Sequence, residues 1–583
     1  MHHPLLSRMS LLTLLLFALS CGTNACKSAA TVRPEPRAAS TPVEPWRYAR
    51  MDVRDSEVPA RFQAPLPDLS RGEENAWTSE HPPLSFVTDA LCAGDPDMGE
   101  RLVASVDRAV ASGTSASEVV RAYANLFYDC GMGRCAWARG VVLDAKRSAT
   151  AREVVWFGLA RCQEPEVEAL FEEQEAPAFA YVSYLDRRRW RDFRSSTPVP
   201  FSPRLERAAS EVVRREKEAP FLINARMAAM LLGETDSPRA AEALLKLHAG
   251  AAEASLRDDL AAAMYRQSHP KARALFQSLC AQGREPLCER GELSRPEVPT
   301  DPREQFRQEL LSPGEFAPRE DVPRAERIEL LASRASALSG KDWHAVRCLE
   351  ALATLSREKA VEVAKAWDSR TLPEEMRDTV RALTRFPASG ALGAYLDGLG
   401  LRAVPGRLIA EESALTAEEV LLYRGRALVF DVETGQFPNE HDSLLRELAA
   451  LAPGALSGVL FEEVPPMFEE EQAGTGSYRL IAWGGGKRYE VKAQSYGDWY
   501  DLEAVLTFLN ALARARGSDV RWISLATTDQ VAHVVAGPSQ ALSSLLDSGL
   551  VRTGDSDEAR GEGREFEEKV LQQLQQEGAT LAE

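Results

Sequence analysis

The chain has 583 residues, of which 44% are hydrophobic and 27% are charged, and its formal net charge is −18. A chain of this length and composition is expected to form about two to four soluble domains with large buried cores. The negative charge disfavours binding to nucleic acid, whose phosphates would repel it, and electrostatic docking on anionic lipid.

The first twenty residues, 1–20, have the pattern of an export signal. Arg8 precedes an apolar run from Leu11 to Leu19, which is too short to span a bilayer as a stable helix. The stretch Ala18-Leu19-Ser20-Cys21 resembles the lipobox of bacterial lipoproteins, although that family usually has leucine three residues before the cysteine. The resemblance implies cleavage before Cys21, lipidation of its thiol and attachment to a membrane through acyl chains. Gly22, in place of aspartate, implies sorting to the outer membrane of the cell envelope.

The next segment, 21–83, is rich in proline and charge and poor in large apolar residues. Such a composition buries too little apolar area to offset the entropy of ordering. The sequence therefore predicts a disordered tether that holds the body away from the membrane.

Eight cysteines follow Cys21, an even number that permits disulfides in an exported protein. Two close pairs, Cys130/Cys135 and Cys280/Cys288, are candidate bridges, and burial as small apolar residues is the alternative. Neither pair has the CxxC spacing of a zinc site, so no metal centre is predicted.

Residues 84–401 are predicted to be helical, with a possible proline-rich seam at 285–325. Leu205, Ala208, Ala209, Val212 and Val213 recur on a 3.6-residue period. Ser202 and Pro203 precede them as the expected N-cap and first helical position.

A sequence phrase recurs in this region. It runs from Glu164 to Phe171, from Ser237 to Leu244 and from His269 to Phe276, and its prolines at 238 and 270 lie 32 residues apart. This spacing suits one pair of short helices per unit. Residues 221–283 resemble HEAT repeats of the bilin-lyase type, which implies a right-handed α-solenoid that binds proteins. An irregular all-helical domain is the alternative.

Residues 402–553 are predicted to form a smaller domain. The pattern is β-α-β-β-β-α-β-β-α, which indicates an α+β fold with a mainly antiparallel sheet. Residues 554–583 are expected to be an acidic tail with a short amphipathic helix.

Two motifs in this domain suggest a nuclease. Asp431 and Glu433 alternate on a strand and resemble the first motif of DEDD-type exonucleases, while Glu490-Val491-Lys492 resembles the PD-(D/E)xK nuclease core. Both resemblances imply metal-dependent hydrolysis. The other metal-binding aspartates of these families have no counterparts here, so solvated strand residues are the alternative.

An aromatic and acidic cluster precedes a predicted helix. Asp498 or Asp501 is expected to cap that helix, and Trp499 is expected either to close the core or to act as an exposed binding anchor. Together with Asp431, Glu433 and Glu490, the residues Asp498 and Trp499 are the candidate surface site of this domain.

No complete catalytic motif and no cofactor motif are found, so the protein is not expected to be an enzyme. The sequence predicts a mainly α chain, with a HEAT-like solenoid followed by the α+β domain. It predicts a membrane-anchored exported lipoprotein that binds protein partners through the helical surface. The alternative is a nuclease-like hydrolase in the C-terminal domain, which requires Asp431, Glu433, Glu490 or Asp498 to converge in one pocket. Neutralisation of a toxin or masking of a partner is a third option.

Overall fold

A computed structural model describes most of the chain after residue 45. The described residues are 46–71, 80–127, 130, 135–162, 164–174, 176–190, 201–215, 221–235, 237–265, 267, 269–281, 301, 303, 306–307, 310, 322–338, 343–367, 372, 374–404, 414–435, 437–467, 476–527 and 530–576. The export signal and Cys21 lie outside them.

Twenty-two α-helices occur within these ranges. In chain order they are α1 Leu84–Cys92, α2 Pro96–Ala111, α3 Ala116–Ala124, α4 Ala136–Leu143, α5 Ala149–Leu159, α6 Pro165–Glu173, α7 Ala178–Trp190, α8 Pro203–Arg214, α9 Phe221–Glu234, α10 Pro238–Gly250, α11 Ala254–Tyr265, α12 Pro270–Ala281, α13 Arg324–Leu338, α14 Trp343–Leu355, α15 Arg357–Ala366, α16 Glu374–Arg385, α17 Ala391–Gly398, α18 Ala417–Tyr423, α19 His441–Ala450, α20 Leu502–Ala515, α21 Ser539–Asp547 and α22 Glu558–Gln576.

Seven β-strands occur in the same ranges, and they form two sheets. They are β1 Asp52–Asp55, β2 Ala427–Asp431, β3 Leu460–Val464, β4 Ser477–Gly484, β5 Lys487–Gln494, β6 Val520–Ser524 and β7 Val531–Pro538. One sheet has the order β1-β5-β4-β3 and the other has the order β2-β7-β6, and every pair is antiparallel. The predicted fold class, a mainly α chain with a smaller antiparallel α+β region, is confirmed.

Helix α8 forms where the sequence predicts it. Ser202 Oγ accepts a hydrogen bond from the Leu205 N–H at 3.1 Å, and Pro203 occupies the first helical position, where its missing N–H leaves no bond unmade. All five apolar residues of the predicted stripe are buried. The helix therefore turns one face to the core of the first helical block and leaves the opposite face polar.

The helices from α7 to α12 pack in two rows. Helices α7, α9 and α11 contact one another in sequence along one row, and α8, α10 and α12 do so along the other. Alanines at the contacts between helices, such as Ala228, Ala229 and Ala241, are fully buried. Small side chains let neighbouring helices approach closely, which gives each helix contacts in both rows.

Separate cores lie on the two sides of the predicted seam. One apolar cluster extends from Leu66 to Phe276 along the chain, and another extends from Phe306 to Leu415. Most residues of 285–325 lie outside the described ranges. Helices α13 to α16 surround the second core, where α13 packs against α15 and α14 packs against α16.

Residues 46–71 do not form the extended tether that composition predicts. Strand β1 pairs with β5, in the register Asp52 opposite Glu490, and the side chains of Trp46, Phe62 and Leu69 are buried. The segment contains few apolar residues, but Trp46, Phe62 and Leu69 each join a core formed with later parts of the chain. Local composition does not reveal such long-range contacts, so the prediction is wrong for these residues.

Candidate functional site

The end of strand β2 and the segment before α20 bring four of the predicted site residues together. Glu433 and Trp499 form an antiparallel bridge, and the Thr434 N–H donates to the Asp498 carbonyl at 2.6 Å. Asp431 lies two residues before Glu433 and accepts a hydrogen bond from the Glu433 N–H at 2.9 Å. Asp431, Glu433 and Asp498 therefore share one side of the α+β region.

The carboxylate of Glu433 lies near three other carboxylates. Burial raises the pKa of Glu433 to about 7, and repulsion by neighbouring carboxylates adds to the effect. Those carboxylates belong to Asp498, to Glu567 of α22 and to Asp431. Glu567 was not among the predicted site residues, because its position depends on how the C-terminal helix docks.

Helix α22 covers the aromatic part of the site. Trp499 is buried, and its indole ring lies directly against Gly563, where an added Cβ would overlap it. The Arg560 guanidinium lies 3.4 Å from the ring centroid of Tyr496, and Arg564 donates to the Tyr496 carbonyl at 3.1 Å. Trp499 therefore closes the core beneath α22 and is not an exposed binding anchor.

Asp501 caps helix α20. The sequence had left Asp498 and Asp501 as alternatives for this cap. Its Oδ1 accepts from the Ala504 N–H at 3.0 Å, and its Oδ2 accepts from the Gln494 N–H at 2.7 Å. Both carboxylate oxygens are thus engaged with backbone donors, which fixes the end of β5 against the start of the helix.

Glu490 lies apart from the other acidic residues of the predicted site. It is on the polar face of β5 and accepts from Arg479 Nε at 2.7 Å, and it also forms an ion pair with Arg488. The bond from Arg479 lowers the pKa of Glu490, so the carboxylate is held in its ionised form. The four carboxylates that a nuclease-like site requires do not converge.

The described part of the chain contains no group of three or more His, Cys, Asp or Glu side chains arranged to hold a metal ion. Asp431, Glu433 and Asp498 are therefore neighbours without forming a metal-binding set. The metal centre that both nuclease resemblances imply is not present among these residues.

A buried pair formed by His441 and Glu463 is not among the residues that the sequence singled out. His441 at the start of α19 is fully buried, and its Nε2 accepts a hydrogen bond from the Asp501 N–H at 3.2 Å. Its Nδ1 therefore carries the proton and donates to Glu463 Oε2 at 2.7 Å. Glu463 lies on β3, and its side chain is nearly buried.

Every polar atom of the His441 ring is used within the fold. The ring also packs against Tyr478 and Tyr500, with centroid distances of 4.6 and 5.2 Å. The sequence contains one weak signal for this pair: a histidine at the start of a helix is followed 22 residues later by a glutamate on a strand. The arrangement fixes α19, β3 and the α20 N-terminus together and leaves the imidazole no free nitrogen for catalysis.

Two disulfides join the helices of the first block. Cys92 is bonded to Cys130, and Cys135 is bonded to Cys162, with Cα–Cα distances of 5.1 and 6.1 Å. The predicted bridge between Cys130 and Cys135 is wrong, because Cys130 is bonded to Cys92 and Cys135 is bonded to Cys162. Cys288 and the side chain of Cys280 lie outside the described residues, so that pair stays a prediction.

Among the described helices, none combines the length and the apolar character that a membrane span requires. Comparison with protein-family models gave no match, and neither curated proteins nor solved structures matched the chain.

Proposed function

We propose that this protein is exported, anchored in the bacterial outer membrane through acyl chains on Cys21, and binds protein partners through its helical surface. The α+β region supplies a second contact surface or caps the helical array. The observation that carries the binding role is the packing of α7 to α12 in two rows, in which successive helices of each row contact one another and α8 has a polar face opposite its buried stripe.

The disulfides support the exported location. Four cysteines of the first helical block are bonded in pairs, and three of these four side chains are buried in the core. Disulfides of this kind form and persist in oxidising compartments and are rare in the cytosol.

The contacts of the candidate polar residues support binding over catalysis. Asp501 caps a helix, Glu490 is paired with arginines, and His441 uses both ring nitrogens in the fold. A catalytic acid or base needs an atom that is within reach of a substrate, and these three side chains direct their polar atoms at the protein itself.

Membrane attachment is tested by the variant Cys21→Ala in the full chain, with Cys26→Ala as the matched control. We expect the wild type and Cys26→Ala to sediment with membranes and Cys21→Ala to remain with its signal uncleaved and its N-terminus unacylated, as measured by mass spectrometry. A Cys21→Ala protein that still carries acyl chains contradicts the anchor.

Partner binding is tested with a photo-crosslinking amino acid at Met230 of α9 or Lys246 of α10, both exposed. Lys492, exposed on β5, is the control position. We expect discrete crosslinked protein adducts from the two helical positions in intact cells and none from Lys492. Adducts from Lys492 alone would move the binding role to the α+β region.

A further inference from the structure

The row of helices α8, α10 and α12 carries a group of exposed cations. They are Arg207, Arg214, Arg239, Lys246, Lys271 and Arg273, and they are called the basic face below. The exposed carboxylates on the same three helices are Glu211 and Glu242. Six cations against two carboxylates give a local positive surface in a chain whose formal net charge is −18.

Helical spacing aligns the two cations of α8 and the two of α10, and Glu211 and Glu242 lie between them on the same sides of these helices. Lys271 and Arg273 are two residues apart and point to different sides of α12. Arg207 and Arg214 are two helical turns apart on one side of α8, and Arg239 and Lys246 have the same spacing on α10. Seven residues span about 10 Å along a helix, and packed helices lie about 8–10 Å apart. Since α8 contacts α10 and α10 contacts α12, the basic face is roughly 10 Å by 20 Å.

No cation of the basic face forms an ion pair within 4.0 Å in the described part of the chain. The opposite row differs, since Arg226 of α9 pairs with Asp259 of α11 at 2.9 Å and Arg188 of α7 pairs with Glu172 at 3.5 Å. Arg239 instead lies over the ring of Phe201, 5.3 Å from its centroid. The exposed side chains of this row therefore carry more positive than negative charge, and none of the six cations is held in an ion pair within the described residues.

The distribution of charge over the protein favours one kind of ligand for the basic face. Charged surfaces separated by more than about 8 Å are screened at physiological ionic strength, so a ligand must itself approach the face closely. An extended anionic membrane or nucleic acid would also face the negatively charged remainder of the protein, which repels it. A short acidic segment of a protein fits within the positive area alone. Four of the six cations are arginines, whose guanidinium groups bind carboxylates through two parallel hydrogen bonds.

We propose that the basic face binds an acidic segment of a protein partner. The inference rests on the proposed protein-binding function and specifies the chemistry of the partner and the row of helices that contacts it. The partner is expected to present several Asp or Glu side chains over about 20 Å, the span of three adjacent helices.

The test uses the mature chain without residues 1–20 and a fluorescent peptide of twelve glutamate and glycine residues as the probe. The reversal variant is Arg207→Glu/Arg239→Glu/Arg273→Glu. The matched control is Arg188→Glu/Arg226→Glu/Arg257→Glu, which changes the net charge equally on the opposite row. A third variant, Arg207→Gln/Arg239→Gln/Arg273→Gln, removes the three charges without adding carboxylates. Circular dichroism melting verifies that each protein is folded.

We expect the wild type to bind the probe at low salt and to lose affinity as salt rises. The reversal variant should bind at least tenfold more weakly, the glutamine variant should be intermediate, and the control should lie within twofold of the wild type. Equal losses in the reversal and control variants would overturn the proposal, because they would reflect net charge alone. Tighter binding to vesicles containing phosphatidylglycerol than to the peptide, lost in the reversal variant, would overturn it in favour of lipid.

These outcomes are separable from a failure of the proposed function. Crosslinks from Met230 or Lys246 in cells can persist when the acidic probe does not bind. That result would support protein binding and would show that the basic face does not bind acidic segments.

Discussion

Arg446 of α19 forms an ion pair with Asp89 of α1, so a side chain of the α+β region is fixed to the first helix of the helical array. Arg446 also pairs with Asp442 on its own helix, and Ser443 donates to Asp89 at 3.1 Å. Ser85 of α1 donates to Asp442 at 3.0 Å. The network connects the two parts of the chain through groups that are mostly withdrawn from water.

Substitution of Arg446 by methionine tests the value of this network. Burial already raises the pKa of Asp89, and loss of the guanidinium leaves that carboxyl and Asp442 without their cation. We expect Arg446→Met to lower the free energy of unfolding by about 3 kcal/mol, since removing one partner strands a buried charge. Urea unfolding followed by circular dichroism measures the change. Lys569→Met, which breaks the exposed pair with Glu565, should leave the transition unchanged.

Asn510 of α20 completes the hydrogen bonds of strand β6. Its Nδ2 donates to the Trp522 carbonyl at 3.0 Å, and its Oδ1 accepts from the Trp522 N–H at 2.8 Å. We expect Asn510→Leu, which retains the volume, to destabilise the protein by about 2–4 kcal/mol because both backbone groups become buried without partners. Thr507→Val on the same helix removes a hydroxyl that bonds only its own helix, and it should cost less than about 1 kcal/mol. Similar melting temperatures for the two variants would contradict this role of Asn510.

The charge on Glu433 makes stability depend on pH in a defined direction. Its pKa is about 7 in the folded protein, against 4.5 for an ordinary glutamate. The stability that the protonated side chain confers is complete below pH 4.5 and is lost as pH rises through 7. Glu433→Gln keeps a neutral side chain of the same shape, so its melting temperature should exceed that of the wild type at pH 8.

The same pair of proteins should melt close together at pH below 4.5, because Glu433 is then neutral in both the folded and the unfolded state. Comparing the two at each pH cancels the titration of the other carboxylates. A difference that does not grow between acid and pH 8 would show that Glu433 ionises normally.

Removal of the Cys92–Cys130 disulfide should destabilise the first helical block. The bridge spans 38 residues, and the chain-entropy relation gives about 4 kcal/mol for a loop of that length. We expect Cys92→Ala/Cys130→Ala to show this loss in urea unfolding. Thiol labelling of the denatured, unreduced wild type should leave Cys92, Cys130, Cys135 and Cys162 unmodified. Labelling at any of the four would contradict the pairing.

The sequence predicts elements well where the signal is local. Alternation of Arg488, Glu490 and Lys492 with Tyr489 and Val491 predicts which face of β5 is buried, and the latter two are buried. The glycines at 484–486 predict the β4–β5 hairpin, which forms with Gly484 opposite Lys487. These features depend on residues within a few positions of one another, so a single sequence contains them.

Contacts between distant segments are not encoded in such patterns. The pairing of β1 with β5 and the bridge from Cys92 to Cys130 depend on how the helices and sheets are placed in space. The candidate site shows both cases, since Asp431 ends β2 and Glu433 follows two residues later, whereas Glu567 joins them only because α22 docks on Trp499.

The early position of residues 46–71 in the chain has a consequence for biosynthesis. Arg47 pairs with Glu503 at 2.9 Å, and 456 residues separate them, so this contact cannot form until α20 has been synthesised. The entropy of closing so long a loop grows only slowly with its length, so the delay need not weaken the final contact. Phe62 lacks its sheet partners until Ile481 and Trp483 have been synthesised, and Trp46 lacks its sheet partners until Ile523 and Val535 have been synthesised, so a chain that ends before them would display both rings to proteases and chaperones.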